Sequence, residues 1–257
     1  MGKIIAVVNQ KGGVGKTTTA VNIASFLASK GEKTLLVDID PQGNSTLGLG
    51  FDKEEEDNNV YNLLLEESPV QSVIKETKIS GLSLIPSNIN LTGAEVELVN
   101  AEAREVRLKN GLRRASNDFS YIIIDSPPSL GLLTLNALTA SNSVLIPIQC
   151  EFYALDGLGQ LLKTVEAVRE SLNPGLVIEG VLITMFDSRT NLSVQVVEEI
   201  KKKFKDKVYD TMIPRNIKLS EAPSFGEPIN IYDKSSRGSK AYEQLADEII
   251  KNNSIKV

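Results

Sequence analysis

The stretch Lys11-Gly12-Gly13-Val14-Gly15-Lys16-Thr17-Thr18 constrains this chain more than any other. It follows the apolar run Lys3-Ile4-Ile5-Ala6-Val7-Val8-Asn9 and leads into Ala20-Val21-Asn22-Ile23-Ala24-Ser25-Phe26-Leu27-Ala28. A buried strand, a glycine-rich turn and a helix are therefore predicted in that order, the context a phosphate-binding loop needs. Glycines let backbone N–H groups turn toward an anion, and the helix N-terminus behind them adds unsatisfied donors and a positive dipole end. In that arrangement Gly12, Gly13, Val14, Gly15 and Thr18 line the cradle. Lys16 reaches the β- and γ-phosphates, and the Thr17 hydroxyl ligates Mg²⁺.

What the chain lacks narrows the chemistry further. Among 257 residues there is no histidine, which excludes a Ser-His-Asp relay, a histidine base and His-containing zinc sites. The single cysteine, Cys150, lies in the apolar run Val144 to Cys150 and reads as a packed thiol. Catalysis is left to carboxylates, lysines, backbone dipoles and a metal ion. A hydrophobic content of 41% with 24% charged residues suits a globular α/β protein, and no linker-like segment divides the chain, so one domain over 1–257 is expected. With no leader-like or membrane-length apolar segment at hand, the sequence-level expectation is a cytoplasmic protein.

Two later stretches carry carboxylates where such a loop would use them. Lys33 to Asp38 reads as a second buried strand, running into Asp38-Ile39-Asp40-Pro41-Gln42-Gly43-Asn44-Ser45, where Pro41 and Gly43 impose a turn. Asp38 and Asp40 then sit at the strand end that faces the phosphate loop, placed to meet a metal or an attacking water. Tyr121-Ile122-Ile123-Ile124-Asp125 has the form of a strand that delivers its terminal carboxylate to Mg²⁺, with Ser126-Pro127-Pro128-Ser129-Leu130-Gly131 following. Between and after them, helices are expected over 60–65, 70–76, 91–115, 132–140, 155–172 and 239–251, and strands over 82–86, 144–148 and 177–184. Repeated β-then-α units predict a mostly parallel, twisted sheet with helices on both faces.

The loop departs from the pattern G-x-x-x-x-G-K-[ST], because Gln10 holds the first glycine position and a second lysine, Lys11, precedes Gly12. This resembles the deviant Walker A motif of the ParA/MinD family of dimeric ATPases, and the resemblance runs from the first strand to about Tyr242. It implies a single-domain P-loop NTPase fold, ATP and Mg²⁺ as cofactors, and an ATP-bound homodimer in which Lys11 reaches the partner's phosphates. It also implies that Asp40 polarises the hydrolytic water, that Asp38 supports the Mg²⁺ site and that residues 127–131 form a switch.

Residues 189–240 carry 11 Lys+Arg against 7 Asp+Glu, a local +4 in a chain of net −5. Lys201, Lys202, Lys203, Lys205 and Lys207 surround Phe204 on an expected helix and read first as a solvated face. Arg189, Arg215, Lys218, Lys234 and Arg237 fall on expected loops or caps, where they could neutralise duplex phosphates without reading bases.

The segment Ile213 to Ser224 resembles the chromosomal ParA subgroup. The resemblance implies that Pro214 and Asn216 pack around adenine and that Arg189 and Lys218 bind DNA nonspecifically. It further implies a ParB-type centromere-binding partner, a nucleoid-associated location and, as a further option, a replication-initiator partner. A MinD-like membrane ATPase shares the phosphate chemistry, but Lys251-Asn252-Asn253-Ser254-Ile255-Lys256-Val257 is too polar for its membrane tail, so no membrane is expected. An iron-protein-like reductase needs paired cysteines, and a related tyrosine kinase would want a tyrosine cluster that Tyr232 and Tyr242 do not form.

Overall fold

The computed structural model describes residues 2–65, 68–151 and 158–254. β1 (Lys3–Val7) and α1 (Lys16–Ser29) flank the glycine turn, and β2 (Thr34–Asp38) follows. The chain continues through α2 (Asn44–Gly48), α3 (Val60–Leu65), α4 (Val70–Val73) and β3 (Lys75–Glu76) to β4 (Leu82–Ile85). Next come α5 (Leu91–Leu98), α6 (Arg107–Leu112), β5 (Tyr121–Asp125), α7 (Leu132–Ala140), β6 (Ser143–Gln149) and α8 (Leu158–Ser171). β7 (Val177–Phe186), α9 (Asn191–Phe204), β8 (Val208–Pro214), α10 (Ile217–Glu221), α11 (Ile229–Tyr232) and α12 (Arg237–Ser254) complete it.

The strands form one sheet of order β3-β4-β2-β5-β1-β6-β7-β8. Its pairings are parallel except between β3 and β4. Because strand side chains alternate, Ile4 and Ala6 enter one core while Ile5 and Val7 enter the other. The first core takes apolar faces from α3, α5, α6, α7, α8 and α9. The second takes α1 and α12, with Tyr242, Leu245 and Ile249 fully buried. The apolar side of α12 thus covers the sheet. Among the described residues, no helix is long and apolar enough to cross a membrane.

β1 lies between β5 and β6, so β2 to β5 are laid down on one side of it and β6 to β8 on the other. The crevice beyond the carboxyl ends of such strands is where ligands bind in open α/β sheets. The glycine loop, the Asp38 turn and Asp125 all lie there.

The expected strands and most helices are present, with four differences. Residues 70–76 form a short helix and then the antiparallel edge strand β3, which pairs Lys75 with Leu84. Residues 91–115 are two helices rather than one. Asn136 of α7 holds the break by accepting the Leu108 N–H at 3.0 Å and donating to the Arg104 carbonyl at 2.8 Å, a contact that helical periodicity cannot reveal. β8 was not foreseen: its apolar residues are interrupted by Asp210 and Thr211, and as an edge strand it buries only Tyr209 and Ile213. Lys205 and Lys207 lie in a turn past α9. The start of the helix expected over 155–172 falls on residues 155–157, outside the described residues.

Candidate active site

Gly13 and Gly15 have φ of 75° and 89°, the left-handed region that favours glycine and that lets the loop turn back on α1. A Cβ added at Gly12 or Gly13 would meet nothing within 4 Å, so the loop is open at both positions. The loop is pinned from behind. Thr184 of β7 donates to the Val14 carbonyl at 2.8 Å, and Asn9 accepts the Lys11 N–H at 3.0 Å while donating to the Pro147 carbonyl at 2.7 Å. Lys16 is 6% exposed and curls over the loop, its Nζ donating to the Lys11 carbonyl at 3.2 Å. Burial lowers its pKa, against the attraction of Asp125 and Asp40. A cation held dry beside carboxylates, with no full counter-charge, is prepared for an anionic ligand.

The parallel register places Asp38 opposite Asp125 at the carboxyl ends of β2 and β5. Both are fully buried, and burial pushes both carboxyls above the ordinary range, with the charge of Asp125 raising Asp38 further. Asp38 uses both oxygens within the protein: Oδ1 accepts from the Asp40 N–H, and Oδ2 from the Thr46 N–H and hydroxyl. Asp125 accepts Ser45 Oγ on Oδ2 at 2.8 Å and hydrogen-bonds the Thr17 side chain, while its Oδ1 is buried with no partner. A buried carboxylate oxygen left unpaired beside a threonine hydroxyl fits a hydrated Mg²⁺, which takes one or two carboxylates together with substrate phosphates. Asp40, 6% exposed, faces the same crevice and lies close enough to Lys16 and Asp125 to act on both electrostatically.

Beside the loop, a cavity of about 300 Å³ is lined by Gly15, Thr18, Thr184, Met185, Tyr242 and the run Ile213 to Ile217. Met185 holds φ at 52°, a conformation non-glycine residues adopt sparingly, at the rim of this cavity. Pro214 and Asn216 form one wall, and Asn216 accepts the Lys218 N–H at 2.8 Å, which caps α10 and fixes that wall. The cavity has the size and position of a base-binding slot next to a triphosphate cradle.

Residues 2–178 match the family model described as an AAA domain. The chain is 59% identical to the sporulation initiation inhibitor protein Soj of Bacillus subtilis, over 98% of this chain and all of that protein. It is 53% identical to the chromosome partitioning protein ParA of Myxococcus xanthus, over 100% of this chain and 90% of that protein. The chain belongs to the ParA/Soj family of chromosome-partitioning ATPases.

Among solved structures, the cobyrinic acid a,c-diamide synthase of Mycobacterium smegmatis with bound ADP and magnesium superposes with a TM-score of 0.87 at 38% identity, covering 99% of this chain and 96% of that one. That protein's name describes another reaction. What it has in common with this ParA/Soj-family chain is the fold, and its crystals hold nucleotide and magnesium. The family chain is an Mg-ATP-dependent, dimerising ATPase, and the unpaired Asp125 oxygen, the open glycine cradle and the buried Lys16 fit both ATP and the ion.

The remaining sequence-predicted residues divide into two groups. Lys11 stands at the loop's outer rim, where its Nζ pairs with Glu151 Oε2 at 2.8 Å, both side chains more than a third exposed. Arg189, Arg215 and Arg237 line a second cavity of about 270 Å³ that shares Pro214 and Arg215 with the first. Arg189 is 86% exposed and makes a two-pronged pair with Asp187, holding that carboxyl well below its usual range. Lys218 pairs with Glu221 at 2.8 Å and lies over the Tyr232 ring, and Lys234 is exposed on the turn before α12.

Sequence reasoning missed Thr46, Ser87, Thr184, Met185 and Glu151. Met185 stands out by its backbone, the others act through contacts made across the fold, and only Thr46 had a sequence signal, a hydroxyl residue at the start of a short helix after an acidic turn.

Proposed function

We propose that residues 1–257 form one ATPase domain that works as a nucleotide-timed DNA clamp in segregation. The reading rests on one observation above the rest: the cavity beside the glycine loop and the arginine cavity share Pro214 and Arg215 in their linings. A nucleotide that settles against those two residues is felt at the arginines beside them. Two ATP-bound copies sandwich their nucleotides. Lys11 leaves Glu151 to reach the partner's phosphates, and Arg189, Arg215, Lys218, Lys234 and Arg237 of both copies form one sequence-independent DNA surface.

In hydrolysis, Asp40 orients the attacking water while Lys16 and Lys11 hold donors toward the developing phosphate charge. Thr17 and Asp125, with Asp38 in support, would hold Mg²⁺, which when bound would supply charge neutralisation at the phosphates. Among the described residues the site offers no strong general base, so turnover is slow until a ParB-type partner stimulates it. Names of the relatives support segregation as the process, a nucleoid-associated location follows from DNA binding, and a replication initiator is a further candidate partner.

The deciding experiment is retention on nonspecific duplex DNA at rising salt with ATP, with ADP and for Lys16→Ala. ATP-dependent retention with a steep salt slope is expected. Equal retention in all three would remove the switch.

A further inference from the structure

Asp40 sits in a turn, and a turn alone does not hold a carboxylate to the tolerance that orienting a water requires. Here the turn is closed by a ring of hydrogen bonds through residues distant in sequence. The Asp40 N–H donates to Asp38 Oδ1 at 3.1 Å, and Asp38 Oδ2 accepts the Thr46 hydroxyl at 2.8 Å. Thr46 Oγ1 in turn accepts the Ser87 N–H at 2.9 Å, and Ser87 Oγ returns to the Asp40 carbonyl at 2.8 Å. Asp38, Thr46 and Ser87 are fully buried. Gly43, at φ 61°, packs so tightly on the Ser87 carbonyl that an added Cβ would come within 2.8 Å of it. Asp40 is therefore gripped at both its N–H and its carbonyl, by β2 on one side and by the exit of β4 on the other.

We infer that Ser87 and Thr46 are positioning residues for Asp40, setting the rate of ATP hydrolysis without contacting nucleotide. The inference rests on the assignment of Asp40 to the attacking water.

The test measures single-turnover ATP hydrolysis, KM for ATP, ATP-dependent dimerisation and amide hydrogen exchange over residues 40–46 of the nucleotide-free protein. The variants are Ser87→Ala, Ser87→Thr, Thr46→Val, Thr46→Ser and Asp40→Ala. Ser87→Ala and Thr46→Val should lower the hydrolysis rate roughly tenfold with KM within about twofold, dimerise with ATP and exchange faster over 40–46. Ser87→Thr and Thr46→Ser, which keep the hydroxyl, should recover the rate. Added to Asp40→Ala, Ser87→Ala should lower the rate no further. Unchanged rate and exchange in both hydroxyl-deleted variants would overturn the inference, as would a rise in KM equal to the fall in rate. Hydrolysis that survives Asp40→Ala would instead remove the assignment of Asp40.

Discussion

The two edges of the sheet both bury carboxylates, and they treat them in opposite ways. At the amino edge, Glu179 of β7 has a side chain 2% exposed, pairs with Lys3 at 3.0 Å and accepts from Asn253 Nδ2 at 2.8 Å. Burial would raise its pKa, yet the neighbouring Ser143 and Asn253 side chains and the Lys3 charge bring it below the ordinary value. At the carboxyl edge, Asp38 and Asp125 stand side by side with pKa values raised by burial, and the nearby Lys16 does not reverse the shift in Asp125. A buried carboxylate given its cation by the chain is part of the fold. One left without it is part of a site.

The largest effect should follow from removing the buried lysine of the glycine loop, Lys16. Lys16→Ala is expected to cut ATP turnover roughly 10²–10³-fold, read by single-turnover phosphate release, while the nucleotide-free protein keeps its melting temperature. A strongly destabilised nucleotide-free variant would mean that Lys16 serves the fold as Lys3 does.

Asp125→Asn and Glu179→Gln test the contrast directly. Asp125→Asn should lower Mg²⁺-dependent turnover roughly 10–100-fold and leave nucleotide-free stability equal or higher. Glu179→Gln should leave turnover unchanged and lose about 2 kcal/mol, a fall in Tm of about 4–8 °C by calorimetry.

The pH response has opposite signs at the two edges. Asp38 is pushed up to about 8 from 3.8, so its contribution to stability is full below 3.8 and drains away as the pH rises through about 8. Glu179 is lowered from 4.5, so its contribution is full above that value and is lost as the pH falls through its folded pKa. Nucleotide-free protein should therefore melt about 2–4 °C lower at the alkaline end of that window, and Asp38→Asn should flatten the slope. An unchanged slope in Asp38→Asn would show that the carboxylate is already neutralised.

The smallest effect belongs to a pair at neither extreme. Lys11 and Glu151 are each more than a third exposed, so Glu151→Ala should change stability by under about 1 kcal/mol in denaturant titration. A larger loss would place that pair with Glu179 and Lys3.

The sequence by itself determined the glycine cradle, the strand–turn–helix order, the Asp38–Asp40 and Asp125 strand ends and the parallel α/β class. Each is written in local chemistry: glycine where φ must be positive, apolar runs where strands are buried on both faces, and a carboxylate where such a run stops. Tertiary structure alone decided the edge strand β8, whose alternation is too weak to read, and the break at Arg104, which Asn136 holds from another helix. It also decided the register that sets Asp38 against Asp125, the Ser87 contact that closes the Asp40 turn and the orphaned Asp125 oxygen. A side chain's local surroundings name its chemistry, but its charge state depends on which distant groups share its burial, and only the folded chain brings those groups together.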